Sequence, residues 1–229
     1  MRAPGVAADA MAATFTGVSV SPKRATARYI IRAEDAAQFN GLEPVLRADM
    51  RQVLGNLVDE QAINGDGKGA NLAGFISHAT AGAEPAATAV QVGEIDGYIA
   101  GGVDGLYTND PSGVRFLIGT ATEKALLIRR PFSAAGGSVQ TMSGLFRASC
   151  GGVRATTRVA AVASNIQSAY RFVPNGLRFI VPVWEGLELI RDPYTLARRG
   201  EIALTVFALY GAAMVRNNGL QEIKVRLAA

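Results

Sequence analysis

Chemistry in a protein needs a nucleophile, a base or a metal ligand within reach of one another, and this sequence is poor in all three. It has a single histidine, His78, and a single cysteine, Cys150. Any Ser-His or Cys-His arrangement must use His78, yet no Gly-x-Ser-x-Gly elbow surrounds Ser138, Ser143 or Ser149. A lone loop histidine beside Ser77 reads as solvated, and a small thiol ahead of Gly151-Gly152 reads as core packing. One thiol forms no internal disulfide, and with one imidazole it builds no His/Cys zinc site. Asp59 and Glu60 are adjacent, so on a helix they point about 100° apart, which does not suit an acid/base pair. Trp184, Tyr194, Phe207 and Tyr210 lie in or beside strand-like segments, where packing explains them better than base stacking. The residues describe a non-catalytic chain with no cofactor or metal set.

The run Asn64-Gly65-Asp66-Gly67-Lys68-Gly69 is the one glycine-rich loop with a charged centre. A phosphate-binding P-loop needs Gly-Lys followed by Ser or Thr after a strand, but here Gly69 follows Lys68. A calcium loop would end in a glutamate near Phe75, and a dinucleotide fingerprint would need a third glycine after a strand. The loop therefore reads as a tight turn leaving a helix.

The helix it leaves is the strongest periodic segment. Leu42, Leu46, Met50, Val53, Leu57 and Val58 recur at steps of three or four, while Arg47, Asp49, Arg51, Gln52, Asn56, Asp59 and Glu60 take the other face. Pro44 fits the first turn and Gly65 ends it. From Glu43 to Ile63 the helix spans about 30 Å at 1.5 Å per residue. Upstream, residues to about Thr14 read as an extended arm, and Thr16–Val20 and Thr26–Arg32, around Ser21-Pro22, read as two short strands or one interrupted strand.

Downstream, Ala79–Ala89 reads as surface. The pattern predicts helices over Val92–Leu106, Ala121–Ile128 and Val139–Ala148, and strands over Val114–Gly119, Val153–Ala163 and Leu177–Val183. Ile202–Val215 and Leu220–Leu227 around Asn217-Asn218-Gly219 predict a long C-terminal hairpin, whose apolar face would dry the long helix. Mixed helices and strands indicate an α/β or α+β domain.

With 229 residues, 49% of them hydrophobic and 18% charged, the chain is rich enough in apolar side chains to fold. Its longest near-apolar run, Ile202–Val215, is shorter than the roughly 18 residues of a spanning helix. Residues 1–14 lack an apolar signal core, because Pro4, Gly5 and Asp9 interrupt it; cytoplasmic synthesis is the expectation. The formal charge is +4, with 19 arginines and four lysines. No acidic residue lies between Glu123 and Glu185, whereas Lys124, Arg129, Arg130, Arg147, Arg154, Arg158, Arg171 and Arg178 are basic. This segment can meet polyanions or acidic surfaces on neighbouring copies, although no aromatic and basic residues interleave as in a nucleic-acid motif. Planar bidentate arginines suit protein interfaces.

The order of signatures from Val20 to Gly74 resembles tailed-bacteriophage major capsid proteins of the Hong Kong 97 type. It comprises Ser21-Pro22-Lys23-Arg24, a strand to Arg32, the amphipathic helix, Ile63-Asn64-Gly65-Asp66-Gly67 and Asn71-Leu72-Ala73-Gly74. A second match, Ile190-Arg191-Asp192-Pro193-Tyr194 and Gly200-Glu201-Ile202, looks like that family's approach to its last strands. The resemblance implies an α+β capsid fold with an N-terminal arm over residues 1–15. A peripheral domain with the spine helix would span 16–78 and 182–229, and a mixed axial domain 79–181. It implies a non-enzymatic protein without cofactors that assembles into pentamers and hexamers of an icosahedral head shell around double-stranded DNA. Scaffolding or head-completion proteins and a portal would be its partners, the host cytoplasm its place of assembly and the virion its location. Leu42, Leu46, Met50, Val53 and Leu57 would form the structural face of the spine helix. Arg129, Arg130, Arg147, Arg154 and Arg158 would be the candidates to face DNA or a neighbouring subunit. The family's arm and long extended loop have no full counterpart in the thirty or so residues before Glu34, and no cross-linking lysine is assigned. Two alternatives remain: a nanocompartment shell of the same fold enclosing enzyme cargo, and a basic nucleic-acid-binding domain.

Overall fold

The computed structural model describes residues 17–39, 41–82, 97–100, 108, 110–128, 141–159, 161–163, 166–217 and 219–226. The longest element follows directly from the periodic segment: helix α2 runs Leu42–Asn64, 23 residues, with Pro44 in its first turn. A short helix α1, Ala33–Gln38, precedes it and was not foreseen. Strand β1, Lys23–Arg32, alternates half-buried and exposed residues along its whole length, as a strand with one covered face must. Residues 17–22 carry no regular structure, so the expected strand over Thr16–Val20 is absent from its described residues, 17–20. Leaving Ser21-Pro22 as its entry, β1 needs no partner upstream, because its ten residues pair in unbroken antiparallel register with strand β8, Glu201–Tyr210.

The second half begins with β2, Arg115–Gly119, then α3, Thr120–Ile128, and α4, Met142–Ser149, which match the expected strand and helices within a few residues. Of the helix expected over Val92–Leu106, only residues 97–100 are described, and they are helical. The strand expected over Val153–Ala163 is two, β3 (Gly152–Thr156) and β4 (Ala161–Ala163). The break is a side-chain turn in which Thr156 Oγ1 accepts from the Arg158 N–H at 3.2 Å. Strand β5, Ile166–Phe172, carried no alternation that would announce it, because four of its seven residues are buried in a row. β6, Leu177–Ile180, stops before Pro182, and the chain crosses to β7, Val183–Asp192.

The predicted C-terminal hairpin is overturned. Ile202–Val215 divides into β8 and β9 (Ala213–Asn217), and neither pairs with β10, Gln221–Arg226. Each joins a different sheet: β1-β8-β7, then β6-β9, then β10-β5-β2-β3 with β4 beside β5. The division falls at Gly211, where an added Cβ would sit 2.6 Å from the Trp184 ring. Only glycine lets the chain bend under that indole.

Three apolar clusters result. Met50 and Leu54 of α2 meet Leu204 and Val206 of β8, with Ala25, Ala27, Tyr29 and Ile31 of β1 around them. Phe116, Ile118, Leu126, Phe146, Cys150 and Val225 pack between the second sheet and helices α3 and α4, the rings of Phe116 and Phe146 lying 4.7 Å apart. Phe75 and Ile76, beyond the spine helix, meet Tyr170, Phe172, Leu177 and Met214 in a third cluster that ties the five-stranded sheet to the two-stranded sheet of β6 and β9.

Candidate assembly surfaces

Along α2 the buried line is Leu46, Met50, Leu54 and half-buried Val58, successive steps of four. Leu42, Leu46 and Met50 were expected on this face, and they are half-buried or buried. Val53 and Leu57 are not on it; they are 44% and 41% exposed. The physical reason is the choice of ridge: after Met50 both the three-step and the four-step positions are apolar, and the sheet of β1 and β8 receives the i+4 row. Val45 joins Val53 and Leu57 as a second, exposed apolar stripe.

The glycine loop closes on itself. Gly67 N–H donates to Leu72 O and Gly74 N–H to Gly65 O, both at 2.8 Å, while Asp66 Oδ1 accepts from Asn71 Nδ2 at 2.9 Å. That bond, with one from the Lys68 N–H, holds the Asp66 carboxyl below its usual range. Lys23 of β1 donates to the carbonyls of Gly69 and Asn71 at 2.6 and 2.5 Å. A Cβ at Gly65 would lie 2.1 Å from Leu72 O, so the doubled-back chain needs glycine there. The N–H groups of Gly65, Gly67, Lys68, Asn71 and Gly74 are bonded within the loop and the helix end, in agreement with its reading as a turn.

A polar joint sits where α2 meets the second sheet. Arg158 Nη1 donates to Glu60 Oε2 at 2.5 Å, and Asn64 Nδ2 lies 2.6 Å from both Glu60 Oε1 and Arg158 O. Hydrogen bonds from Asn64 and then Arg158 hold the Glu60 carboxyl below the usual glutamate range. Arg147 likewise pairs with Glu123 at 2.8 Å, beside a bond from Ser143 Oγ to the same oxygen at 2.7 Å. Arg171 donates to Tyr98 O and to Gln221, and burial pulls its pKa down. The acid-free segment is thus not uniformly free positive charge, since carboxylates from outside it neutralise part of it. Arg154 is exposed, and with Arg115 and Arg147 it lines a cleft of about 400 Å³ next to Gly151 and Gly152. Arg129 and Arg130 lie outside the described residues.

His78 is half-buried rather than solvated, its Nε2 without a partner among the described residues and its carbonyl accepting from Asn217 at 2.6 Å. Cys150 is buried, lies 3.1 Å from Phe146 O, and has its thiol pKa pushed up by burial, the opposite of an activated nucleophile. Among the described residues no three His, Cys, Asp or Glu side chains converge as a metal site, and no helix is long and apolar enough to cross a membrane.

What remains exposed is sheet edge and apolar surface. β1 and β7 each pair only with β8, so both flanks of that sheet are free among the described strands. β7 exposes Val183, Trp184, Leu187 and Ile190, and the turn after it exposes Tyr194. Long free edges with apolar side chains are pairing surfaces.

At the level of sequence, no family model and no curated protein matches the chain. Solved structures do. The capsid of a native GTA particle superposes with a TM-score of 0.66 at 12% identity, covering 93% of this chain and 74% of that one. The capsid of Myoviridae phage XM1 gives 0.64 at 9% identity, with 90% and 74% covered. The chain has the Hong Kong 97-type capsid fold. A virus-like particle from Pyrococcus furiosus shares this capsid fold more distantly, with a TM-score of 0.51 at 10% identity over 88% of this chain and 76% of that one. In this capsid fold α2 is the spine helix, and the stretch from Ser21 through Gly74 that suggested the resemblance forms β1, the spine and its closing loop.

Proposed function

We propose that the chain is a major capsid protein that assembles into the icosahedral head shell of a tailed bacteriophage around double-stranded DNA. The observation that carries this reading is the capsid-type superposition over nine-tenths of the chain. The exposed apolar stripe on the spine helix and the two free sheet edges are surfaces that other copies would cover, and they support it. Repetition of modest contacts closes a shell that no single pair would hold. The role is structural rather than enzymatic, with pentamers and hexamers as the units and a scaffolding protein and portal as partners.

In this reading α2 and the sheet β1-β8-β7 form the peripheral domain, and the sheet containing β2, β3 and β5 forms the axial one. Residues 221–226 belong to the expected peripheral segment 182–229, and their pairing with β5 supports grouping them with the axial part in this reading. Arg154 and Arg115 are the exposed basic candidates for a DNA-facing or intersubunit role.

The likeness to the Pyrococcus furiosus particle favours a second reading, a compartment shell of the same fold around protein cargo. Electron microscopy of particles from cells expressing the chain, with and without a scaffolding protein, tests both. Closed shells that yield double-stranded DNA support the phage head; shells that yield protein cargo without DNA support the compartment. Failure to form any shell overturns both.

A further inference from the structure

The two free edges of the three-stranded sheet differ in sign. β1 carries Lys23, Arg24, Arg28 and Arg32 and no acidic residue. Lys23 is committed to the glycine loop, and the Arg24 guanidinium lies 4.4 Å over the Phe207 ring. Arg28 and Arg32 are exposed; the charge of Arg28 is felt by Asp192 across the sheet, and no hydrogen bond to either guanidinium is formed among the described residues. β7 carries Glu185, Glu188 and Asp192 against one arginine, Arg191, which lies 3.7 Å from Glu43. Asp192 is occupied by its own turn, accepting from the Tyr194 and Thr195 N–H groups at 2.8 and 3.0 Å. Glu185 and Glu188 are exposed and likewise without a described partner.

Register puts the two sets on one face but offset along the strands, Arg28 and Arg32 standing level with Thr205 and Glu201, and Glu185 and Glu188 with Leu209 and Phe207. Glu185 and Arg24 are level with Leu209, Glu188 and Thr26 with Phe207, Ile190 and Arg28 with Thr205, and Ile30 with Ala203. That face is opposite α2, whose contacts are to the alternate residues Ala25, Ala27, Tyr29 and Leu204. Between the charges lie exposed Ile30 on one edge and Leu187 and Ile190 on the other. Each edge thus combines an apolar centre with a charged rim, as an interface does.

We propose that the β1 edge of one copy docks against the β7 edge of the next, with Arg28 and Arg32 meeting Glu185 and Glu188 in a head-to-tail contact. The occupant is a second copy because this chain itself carries the complementary charge. Pairing β1 with β1, or β7 with β7, would bring like charges together and is disfavoured. A contact between two different patches propagates, and it closes into a ring when the rotation allows. The inference rests on the shell reading and names the surface that would build it.

The test is a charge swap in the full-length chain, read by sedimentation velocity and electron microscopy. Arg28→Glu with Arg32→Glu makes the contact positions of both edges acidic, and Glu185→Lys with Glu188→Lys makes them both basic. Each variant alone should lower the assembled fraction by about tenfold or more, with an unchanged melting temperature. Mixing the two, or combining all four substitutions in one chain, should restore assembly. The neutral pair Arg28→Gln with Arg32→Gln should give a smaller loss and guards against misfolding of the reversed chain.

Wild-type shells with no response to either reversal would overturn the edge contact and leave the shell reading standing. Wild-type chains that never assemble would overturn both. Loss from the arginine reversal without loss from the glutamate reversal would place DNA on the β1 edge and sink the proposal. An arginine reversal that lowers only the melting temperature would mean that another segment of the same chain covers that edge, with the same consequence.

Discussion

At the scale of single residues, the spine helix turns on the difference between two neighbouring positions. Leu54 is fully buried between β1 and β8, whereas Val53 is 44% exposed, although sequence gives them similar hydrophobicity. Leu54→Ala removes a side chain that the surrounding Met50, Leu204 and Val206 cannot replace without moving the sheet. It should cost about 2–5 kcal/mol, the range for large-to-small changes in packed cores. Urea unfolding of the unassembled subunit measures this, and Val53→Ala in the same experiment should stay within about 0.5 kcal/mol of the parent, as exposed substitutions do. Equal losses at the two positions would mean that the helix presents the i+3 row inward instead.

Between elements, the joint of Glu60, Asn64 and Arg158 connects the end of the spine helix to the turn after β3. Because the folded state holds the Glu60 carboxyl below its ordinary value of 4.5, its contribution is fully present above that value. It is lost as pH falls through the lower, folded-state value, where protonation releases Arg158. The exposure of the pair keeps the effect modest. Glu60→Gln should therefore lower stability modestly near neutrality, leave it unchanged at the acid end, and so flatten the acid limb of stability plotted against pH. Thermal unfolding across pH reads the difference, and an unaltered acid limb would assign that limb to other carboxylates, such as Asp66.

Elements were legible in the sequence where one residue pattern had one outcome. The spine helix, the closing glycine loop, β2 and α3 lie close to where periodicity and turn residues placed them. Pairing was not legible, because a continuous apolar run such as Ile202–Val215 says that both faces are covered and not by what. The bend at Gly211 depends on Trp184, 27 positions away, and no local signal carries that contact. Among the candidate site residues, Arg147 and Arg158 lay in an acid-free stretch, yet Glu123 and Glu60 reach them from outside it. Charge counted along a segment misses partners brought in by the fold.

For the molecule as a whole, the question is which surfaces serve the subunit and which serve its neighbours. Leu57 separates the two. It stands 41% exposed beside the groove formed with Lys23, Arg24, Gln61 and Tyr210, whereas Leu54, less than one turn earlier, is sealed. If folding needed Leu57 buried, Leu57→Asp would strand a charge in the core and the chain would not fold. With the side chain already half in water, the substituted carboxylate keeps its hydration and lies on the flank that carries Lys23 and Arg24. The melting temperature of the isolated subunit should then remain within a few degrees of the parent. Assembly should suffer instead, because a neighbouring copy covering the stripe of Val45, Val53 and Leu57 would have to desolvate that carboxylate against an apolar surface. Circular-dichroism melting together with light scattering under assembly conditions separates the two effects. A folded subunit that no longer forms shells would mark the exposed face of the spine helix as an intersubunit surface. An unfolded one would return Leu57 to the core, and unimpaired shells would show that no copy covers this stripe.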